Sequence, residues 1–292
     1  MTINPKNTKI GFIGLGIMGR HMAGHIQAAG YELHVYNRTK SKADDLVSKG
    51  AVWHDDPASV AANSDVVITI VGYPKDVEEV YLGDGGLVAN ARDGSYLIDM
   101  TTSEPSLAIR IAEAAKASGL HALDAPVSGG DVGARDGKLA IMVGGEPPAF
   151  EQVLPLFEAM GENIVLQGGA GAGQHTKMCN QIVVAGNMLA AAEGLSYALK
   201  AGLEPEKVLQ CVGTGAAASF LLNALGPKMV AEDFAPGFFV HHFIKDMTIA
   251  AKEAEEMGIK LPALNLAKSL YSEIADEGAR EDGTQALIKA YR

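Results

Sequence analysis

Three polar side chains share one face of the most apolar part of the chain. Residues 168–201 read GGAGAGQHTKMCNQIVVAGNMLAAAEGLSYALKA, and within them Lys177, Asn180 and Gln181 stand at i, i+3 and i+4. This spacing puts the three on one side of a helix, and Asn187 returns to that side. A lysine near the start of a buried helix is costly unless it has a partner or a task, and proton transfer is one such task. The same residues also allow a lysine that snorkels at a helix end.

This stretch divides the chain in two. It has no proline and is rich in Ala, Leu and Met, a composition that predicts one long interdomain helix. Its apolar residues occur on all sides, so we expect burial on several sides. Short apolar runs alternate with helical patterns before it, and no convincing strand follows it. We therefore predict an α/β chain with an N-terminal Rossmann-type domain, 1–168, and an all-α domain, 169–292.

Composition argues against several other classes of protein. The 292 residues carry a net charge of −11, which disfavours nucleic acid or an anionic membrane as a partner. With only Cys179 and Cys211 there is no disulfide framework, so a reducing, cytoplasmic location is expected. No apolar signal segment is evident, and the apolar segment 182–192 is too short to span a bilayer. The eight histidines show no metal-ligand spacing, so we expect a metal-free site.

A glycine-rich turn follows the first predicted strand, Lys9–Ile13, and leads into a helix that reaches about Ala29. Its spacing is G-x-G-x-x-G, formed by Gly14, Leu15, Gly16, Ile17, Met18 and Gly19. Such glycines permit a tight turn and let the backbone approach a pyrophosphate at the positive end of the helix. A lone glycine motif is weak evidence, but its place between a strand and a helix makes this one a dinucleotide-binding signal.

The second predicted strand, Glu32–Tyr36, ends in Asn37, Arg38 and Thr39. An NAD site usually has an acidic residue here, which hydrogen-bonds the ribose 2′-hydroxyl. This chain has a guanidinium instead, which can bind a 2′-phosphate, although it could also be a solvated turn arginine. We therefore expect NADP as the cofactor, with NAD as the alternative.

Further strand ends supply candidate contacts. Strands are predicted at 65–71, 96–99, 121–124, 139–143 and 163–166. Because the carboxyl ends of parallel strands line the ligand crevice, Val71, Gly72 and Thr102 are candidate cofactor contacts, although each could be an ordinary loop residue. Ser103 is predicted to cap a helix over 106–118.

A Ser-Gly-Gly turn, Ser128, Gly129 and Gly130, follows the strand at 121–124. Its backbone N–H groups could bind an anion, or it could be a plain glycine turn. Beyond the long helix the chain is predicted to be helical, with an irregular aromatic segment over 234–242. The helices are expected at 204–212, 243–256, 262–275 and from about 284.

Together these patterns resemble those of the β-hydroxyacid dehydrogenases. That family includes 3-hydroxyisobutyrate dehydrogenase, tartronate semialdehyde reductase and the glyoxylate/succinic semialdehyde reductases. Four motifs carry the resemblance: IGLGIMGRHMAGHI over 13–26, DAPVSGG over 124–130, Gly173-xxx-Lys177-xx-Asn180, and Lys245-Asp246. They are similar to the family's glycine signature and to its substrate-binding, catalytic and cofactor-side motifs, in the family's order.

The resemblance implies an oxidoreductase that transfers hydride between NADP(H) and a small carboxylate-bearing substrate. That substrate would be a β-hydroxyacid or its semialdehyde, such as 3-hydroxyisobutyrate or tartronate or succinic semialdehyde. Lys177 would be the general acid/base, and Asn180 would hold Lys177 and the substrate. Further contacts to substrate or cofactor would come from Ser128, Gly129, Gly130, Thr102 and Lys245. The family also implies that residues 1–168 bind NADP and that the helical domain, 169–292, serves substrate binding and oligomerisation, so a homodimer or homotetramer joined through that domain is expected.

Some positions depart from the family pattern. Val71-Gly72-Tyr73-Pro74 stands where many members have Leu-Pro or Val-Pro, and Gln181 stands where many have a second asparagine. These departures concern the substrate and leave the chemistry intact. Two alternatives remain: an imine-reducing relative, which usually lacks a lysine where this chain has Lys177, and a catalytically silent dinucleotide-binding module, which need not keep both Lys177 and Asn180.

Overall fold

The computed structural model describes residues 3–291, and the chain packs as two compact units, Met1–Lys177 and Met178–Arg292. The division by packing falls inside the long helix, whereas the predicted boundary at residue 168 marks the end of the last strand. Met1, Thr2 and Arg292, at the ends of the two predicted domains, lie outside the described residues.

The first unit is built on a sheet that runs β3-β2-β1-β4-β5-β6-β8-β7, with β9 beside β8. Its strands are β1 (Lys9–Ile13), β2 (Glu32–Tyr36), β3 (Val52–Trp53), β4 (Val66–Thr69), β5 (Tyr96–Asp99), β6 (His121–Asp124), β7 (Val127–Ser128), β8 (Leu139–Gly144) and β9 (Gly161–Gly168). The pairs from β3 to β6 are parallel, and β8 is antiparallel to β6 and β7. The order reverses direction at β1 and β4, the place where open α/β sheets bind ligands. The predicted Rossmann-type domain is therefore confirmed.

Helices cover both faces of this sheet. They are α1 (Gly19–Ala28), α2 (Asp44–Ser48), α3 (Pro57–Ala62), α4 (Pro74–Leu82), α5 (Leu87–Asn90), α6 (Pro105–Ala117), α7 (Gly130–Asp136) and α8 (Pro147–Glu158). Every residue of β4 is buried, because successive side chains enter opposite cores: Val66 and Ile68 pack in one cluster and Val67 in the other. Burial on both faces explains why these strands read as continuous apolar runs.

The predicted cap at Ser103 is wrong. The helix α6 begins at Pro105 with Glu104 at the N-cap, and the Ser103 N–H donates instead to the side chain of Gln174. Proline at the first helical position lacks one of the N–H groups that a helix start leaves unsatisfied, and its fixed φ suits the start of a helix. Five short elements of the first unit, β3, β7, α3, α5 and α7, have no counterpart among the predicted ones, since two to seven residues carry too little periodicity to be recognised.

Among the described residues of the second unit, the regular elements are all helices. After the long helix α9 (Ala172–Lys200) it contains α10 (Pro205–Val212), α11 (Phe220–Val230), α12 (Val240–Glu256), α13 (Pro262–Asp276) and two 3₁₀ segments, Ala279–Glu281 and Thr284–Tyr291. The helix α12 begins before its predicted start at residue 243. An isolated bridge between Phe239 and Gly283 and a bond from the Val240 N–H to the Asp282 carbonyl fix that start through contacts distant in sequence.

The helix α9 has one buried side and one exposed side, so the expected burial on several sides is only partly right. Met188 and Leu195 lie in the core of the second unit. On the other side, the exposed fractions of Val183 and Tyr197 are 62% and 76%. The helix is also longer than the apolar segment considered above, and by length and composition alone it could cross a membrane.

A buried carboxylate at the carboxyl end of β5 makes the stability of the protein depend on pH. Burial raises the pKa of Asp99 to about 6, against an ordinary value of 3.8, although the carboxylate accepts bonds from the hydroxyl of Thr69 and the N–H of Thr101. Folding thus favours the neutral form of Asp99. The contribution of Asp99 to the free energy of unfolding is complete below its pKa in the unfolded chain. That contribution is lost as the pH rises through its pKa in the folded protein.

We expect Asp99→Asn, which stays neutral, to stabilise the protein at about pH 8 by up to about 3 kcal/mol, and to have little effect at about pH 3, below the pKa of the unfolded chain. Urea unfolding at the two pH values measures this difference. The exposed carboxylate of Asp136 serves as control, because Asp136→Asn should give no gain at the higher pH. An equal effect of Asp99→Asn at both pH values would contradict the assignment.

Candidate active site

The glycine loop after β1 is tight for steric reasons. Gly14 has φ +98°, which glycine adopts readily, and a Cβ there would collide with the carbonyl of Ile70. A Cβ on Gly19 would collide with the carbonyl of Gly14. The Leu15 N–H donates to Oδ1 of Asn37 at 2.9 Å, so Asn37 holds the loop in place. The fold itself therefore requires two of the three glycines.

Gly16 is different, because a Cβ there would meet nothing within 4 Å. A cavity of about 510 Å³ opens beside it. The lining residues are Leu15, Gly16, Ile17, Arg20, His21, Ser41, Lys42, Asp45 and Leu46. The first turn of α1 has no acidic residue, and Arg20 and Lys42 bring positive charge to the cavity. These residues fit the phosphates of a dinucleotide, for which an open backbone at Gly16 leaves room.

Arg38 lies at the end of β2 with 78% of its side chain exposed, and its Nη1 is 3.5 Å from Oδ1 of Asp76. An exposed ion pair of this length contributes little free energy, so it would not prevent Arg38 from binding a phosphate. Asp76 also has a second bond, since its other oxygen accepts from the Tyr73 N–H at 3.0 Å.

The cavity also contains charged and polar side chains that the motifs did not include. Burial and the neighbouring Arg20 guanidinium lower the pKa of His21. Ser41, Lys42, Arg20 and His21 were not among the predicted cofactor contacts, although the cations close to the glycine and Asn-Arg-Thr motifs were a signal for them.

One glutamine binds the loop that follows β5. Gln174 is fully buried, and its Oε1 accepts from the Ser103 N–H at 2.9 Å while its Nε2 donates to the Thr101 carbonyl at 2.7 Å. The two bonds flank Thr102 and fix its backbone. The Val71 N–H donates to the hydroxyl of Thr101 at 2.9 Å, which joins the segment of Val71 and Gly72 to the same loop. The predicted contacts after β4 and β5 therefore lie together.

The start of α9 is held by a carboxylate at the end of β6. Asp124 accepts from the N–H groups of Gly171 and Gln174, both at 2.8 Å. Burial raises the pKa of Asp124, and these backbone N–H groups act in the opposite direction by stabilising the charged form. Because α9 continues from this first turn, Asp124 determines where Lys177 lies.

Lys177 lies beside the predicted substrate loop. Its side chain is only 6% exposed, and its Nζ donates to the Val127 carbonyl at 2.7 Å. Val127 precedes Ser128 in β7, and the next residues, Gly129 and Gly130, have φ of +134° and +63°. Within the first unit, the predicted general acid/base thus lies next to the Ser-Gly-Gly turn, and its buried ammonium has a hydrogen-bond partner there.

The remaining predicted residues belong to a second network, within the helical unit. The Asn180 amide donates to Oε1 of Gln181 at 2.7 Å, and Nε2 of Gln181 donates to Oδ2 of Asp246 at 2.6 Å. The Nζ of Lys245 is 3.0 Å from the other oxygen of Asp246, and both side chains are largely buried. Gln181 and Asp246 were not predicted as site residues, although both stand next to residues that were.

No group of three or more His, Cys, Asp and Glu side chains in residues 3–291 is arranged to hold a metal ion.

Comparison with known proteins agrees with this geometry. Residues 9–169 match the model of the NAD binding domain of 6-phosphogluconate dehydrogenase, and residues 171–291 match that of the NAD-binding domain of NADP-dependent 3-hydroxyisobutyrate dehydrogenase. The chain is 58% identical to the uncharacterized oxidoreductase YkwC of Bacillus subtilis (strain 168), over 97% of this chain and 98% of that protein. The chain belongs to the β-hydroxyacid dehydrogenase family.

Two further relatives show how wide this family is. The chain is 40% identical to the 2-hydroxy-3-oxopropionate reductase of Escherichia coli (strain K12), over 97% of this chain and 96% of that protein. A Mycobacterium tuberculosis 3-hydroxyisobutyrate dehydrogenase, whose structure was solved with L-serine, is 30% identical with a TM-score of 0.88, over 98% of this chain and 99% of that one. The protein is thus an NAD(P)-binding oxidoreductase that acts on CH–OH groups, as its motifs predicted.

The open space at Gly16 gives a test of the cofactor loop. Gly16→Ala should leave the thermal unfolding midpoint of the free protein nearly unchanged, because its Cβ meets no atom of the chain. The methyl group should nevertheless weaken NADP(H) binding roughly tenfold or more, since the backbone can no longer approach the phosphates. Calorimetric titration measures the affinity.

Gly24 in α1 is the matched control. Its Cβ would come no closer than 4.0 Å to a neighbour, and it does not line the cavity. Gly24→Ala should keep the cofactor affinity. If Gly16→Ala binds NADP(H) as tightly as Gly24→Ala does, the cofactor does not pass over Gly16.

Proposed function

We propose that the protein transfers hydride between NADP(H) and a small β-hydroxyacid or its semialdehyde, with Lys177 as general acid/base. The observation that supports this most is the bond from Nζ of Lys177 to the carbonyl of Val127, immediately before the Ser-Gly-Gly turn. It places a buried amine one residue from the loop expected to bind the substrate carboxylate.

The residues divide the work. A bound nicotinamide supplies the hydride chemistry. Ser128, Gly129 and Gly130 hold the substrate carboxylate through backbone N–H groups and the serine hydroxyl. Lys177 takes a proton from the substrate hydroxyl in oxidation and returns one to the carbonyl oxygen in reduction. Asn180, three residues later on the same helix, supports Lys177 and the substrate.

The substrate is proposed to carry a carboxylate close to the reacting carbon. The Escherichia coli relative is named for 2-hydroxy-3-oxopropionate, a semialdehyde with a carboxylate, and the Mycobacterium tuberculosis relative for 3-hydroxyisobutyrate. Candidates for this chain are 3-hydroxyisobutyrate and tartronate and succinic semialdehydes. Their common feature is the carboxylate that the Ser-Gly-Gly turn would bind.

The preferred cofactor is proposed to be NADP(H). Arg38 stands where an acidic residue would select NAD, and Ser41 and Lys42 line the cavity close by. The model that matches residues 171–291 is that of an NADP-dependent enzyme. The charge at the end of β2 is therefore complementary to a 2′-phosphate.

The protein is further proposed to be a cytoplasmic homodimer or homotetramer. The exposed side of α9, with Val183 and Tyr197, would lie in the contact between copies, because exposed apolar surface of this kind marks interaction sites. Its molar mass in solution, measured by light scattering, decides between one, two and four copies.

Lys177→Met tests the proposed chemistry. It keeps the apolar stem and removes the ammonium, so the variant should fold and bind NADP(H) while turnover falls about 10² to 10⁴-fold. The assay follows NADPH consumption with succinic, tartronate and methylmalonate semialdehydes and glyoxylate, beside an uncharged aldehyde.

Lys200→Met, at the exposed end of the same helix, is the control and should keep its turnover. Near-normal turnover of Lys177→Met with an active substrate would mean that the proton comes from another group. Equally efficient reduction of the uncharged aldehyde would contradict the carboxylate site.

Arg38→Asp tests cofactor choice. It removes a cation and adds a negative charge opposite the 2′-phosphate, so the KM for NADPH should rise more than the KM for NADH. Arg110→Asp is the control, because Arg110 is also an exposed arginine in an ion pair, with Glu78. Equal catalytic efficiency of the unmutated protein with the two cofactors would overturn the NADP preference.

A further inference from the structure

The amide of Asn180 is at the end of a network that starts at a buried ion pair. Lys245 lies 3.0 Å from Oδ1 of Asp246, and Oδ2 of Asp246 accepts from Nε2 of Gln181 at 2.6 Å. Oε1 of Gln181 in turn accepts from Nδ2 of Asn180 at 2.7 Å. Gln181 and Asp246 are each 2% exposed, so water does not compete for these bonds.

The chemistry of the groups determines which way each amide faces. An ionised carboxylate is only an acceptor, so Gln181 must turn its Nε2 toward Asp246. Its other end is then Oε1, which is also only an acceptor. Asn180 must therefore turn its Nδ2 toward Gln181, and its carbonyl Oδ1 faces away from Gln181. The ammonium of Lys245 lies 3.0 Å from the other oxygen of the same carboxylate.

This order matters because an amide has two chemically opposite ends. Lys177 stands three residues before Asn180 on the same side of α9. A carbonyl oxygen can accept from the ammonium of Lys177 or from a substrate hydroxyl, whereas an NH₂ group in its place would repel the ammonium. Either orientation fills the same space, so packing alone does not choose between them.

We propose that Gln181 is a positioning residue, which fixes the Asn180 amide so that its Oδ1 serves as the acceptor for the proton-transfer groups. The proposal rests on the proposed function of Lys177 and Asn180. It also gives a role to a residue that departs from the family pattern. Asparagine is one methylene shorter than glutamine, so it would not reach both Asn180 and Asp246 from the same backbone position.

Gln181→Met tests the proposal, since methionine has a similar shape and neither donates nor accepts strongly. The variant should keep its KM for NADP(H) within about twofold and lose roughly 10- to 100-fold in kcat, because Asn180 loses its fixed orientation. The pH profile of kcat should also shift, since the acceptor beside the proton-transfer group is no longer fixed.

Gln285→Met is the matched control in the same unit. Gln285 is also 2% exposed, and its Nε2 donates to the carbonyls of Asp233 and Ala235 at 2.9 and 3.0 Å. It should lower the thermal unfolding midpoint about as much as Gln181→Met does, but leave kcat and its pH profile unchanged. A loss of kcat in both variants in proportion to their stability would show that Gln181 is merely structural.

A double-mutant cycle with Asn180 tests directly whether Gln181 affects turnover through Asn180. If Gln181 acts through Asn180, then Gln181→Met should change kcat by less than about twofold once Asn180→Ala is present. Asn180→Ser, which keeps a hydroxyl, replaces Asn180→Ala if turnover falls below detection. Losses that multiply in the double variant, or a kcat of Gln181→Met within about twofold of the unmutated protein, overturn the proposal. The cycle does not use Lys177→Met, so failure here and failure of the proposed function are distinguishable.

Discussion

The first unit depends on one buried carboxylate at the end of β6. Asp124 accepts the N–H groups of Gly171 and Gln174, which are among the donors that a helix start leaves unsatisfied. A buried charge of this kind is costly, and the positive end of a helix is a favourable place for it. The cap therefore does two things at once: it stabilises the charge of Asp124 and holds the first turn of α9 at the end of β6.

Everything that α9 carries then follows from helical spacing. Gln174, in the first turn, holds the loop on both sides of Thr102, and Lys177 reaches Val127 one turn later. Asn180 and Gln181 come after one more turn and join the network of Asp246. Within the first unit, the first turns of α9 thus support both the strand-end loop and the proposed proton-transfer group, which is how a site keeps its geometry.

The sequence allowed the Rossmann-type domain and the helical unit to be predicted because both have strong periods. The buried strand Val66–Thr69 and the proline-free α9 are readable from residue types alone. Contacts between residues distant in sequence were not readable. Ser103 was predicted as a cap because serine favours that position, but its N–H is bound by Gln174, 71 residues away. The exposed side of α9 was missed for a related reason. When apolar residues occur on every side of a helix, their pattern does not indicate which side packs against the rest of the chain.

The same limit explains which parts of the site could be predicted. Lys177, Ser128 and the glycine loop occupy positions that the fold itself defines, at helix starts and strand ends, so a motif finds them. No feature of the backbone indicates the substrate. Tyr73 begins α4 as its N-cap, and Phe220 begins α11 with a 75% exposed side chain. A motif therefore predicts the position of the proposed proton-transfer group, because Asp124 and Gln174 fix the first turns of α9, whereas side chains such as Tyr73 and Phe220 carry no signal of a substrate.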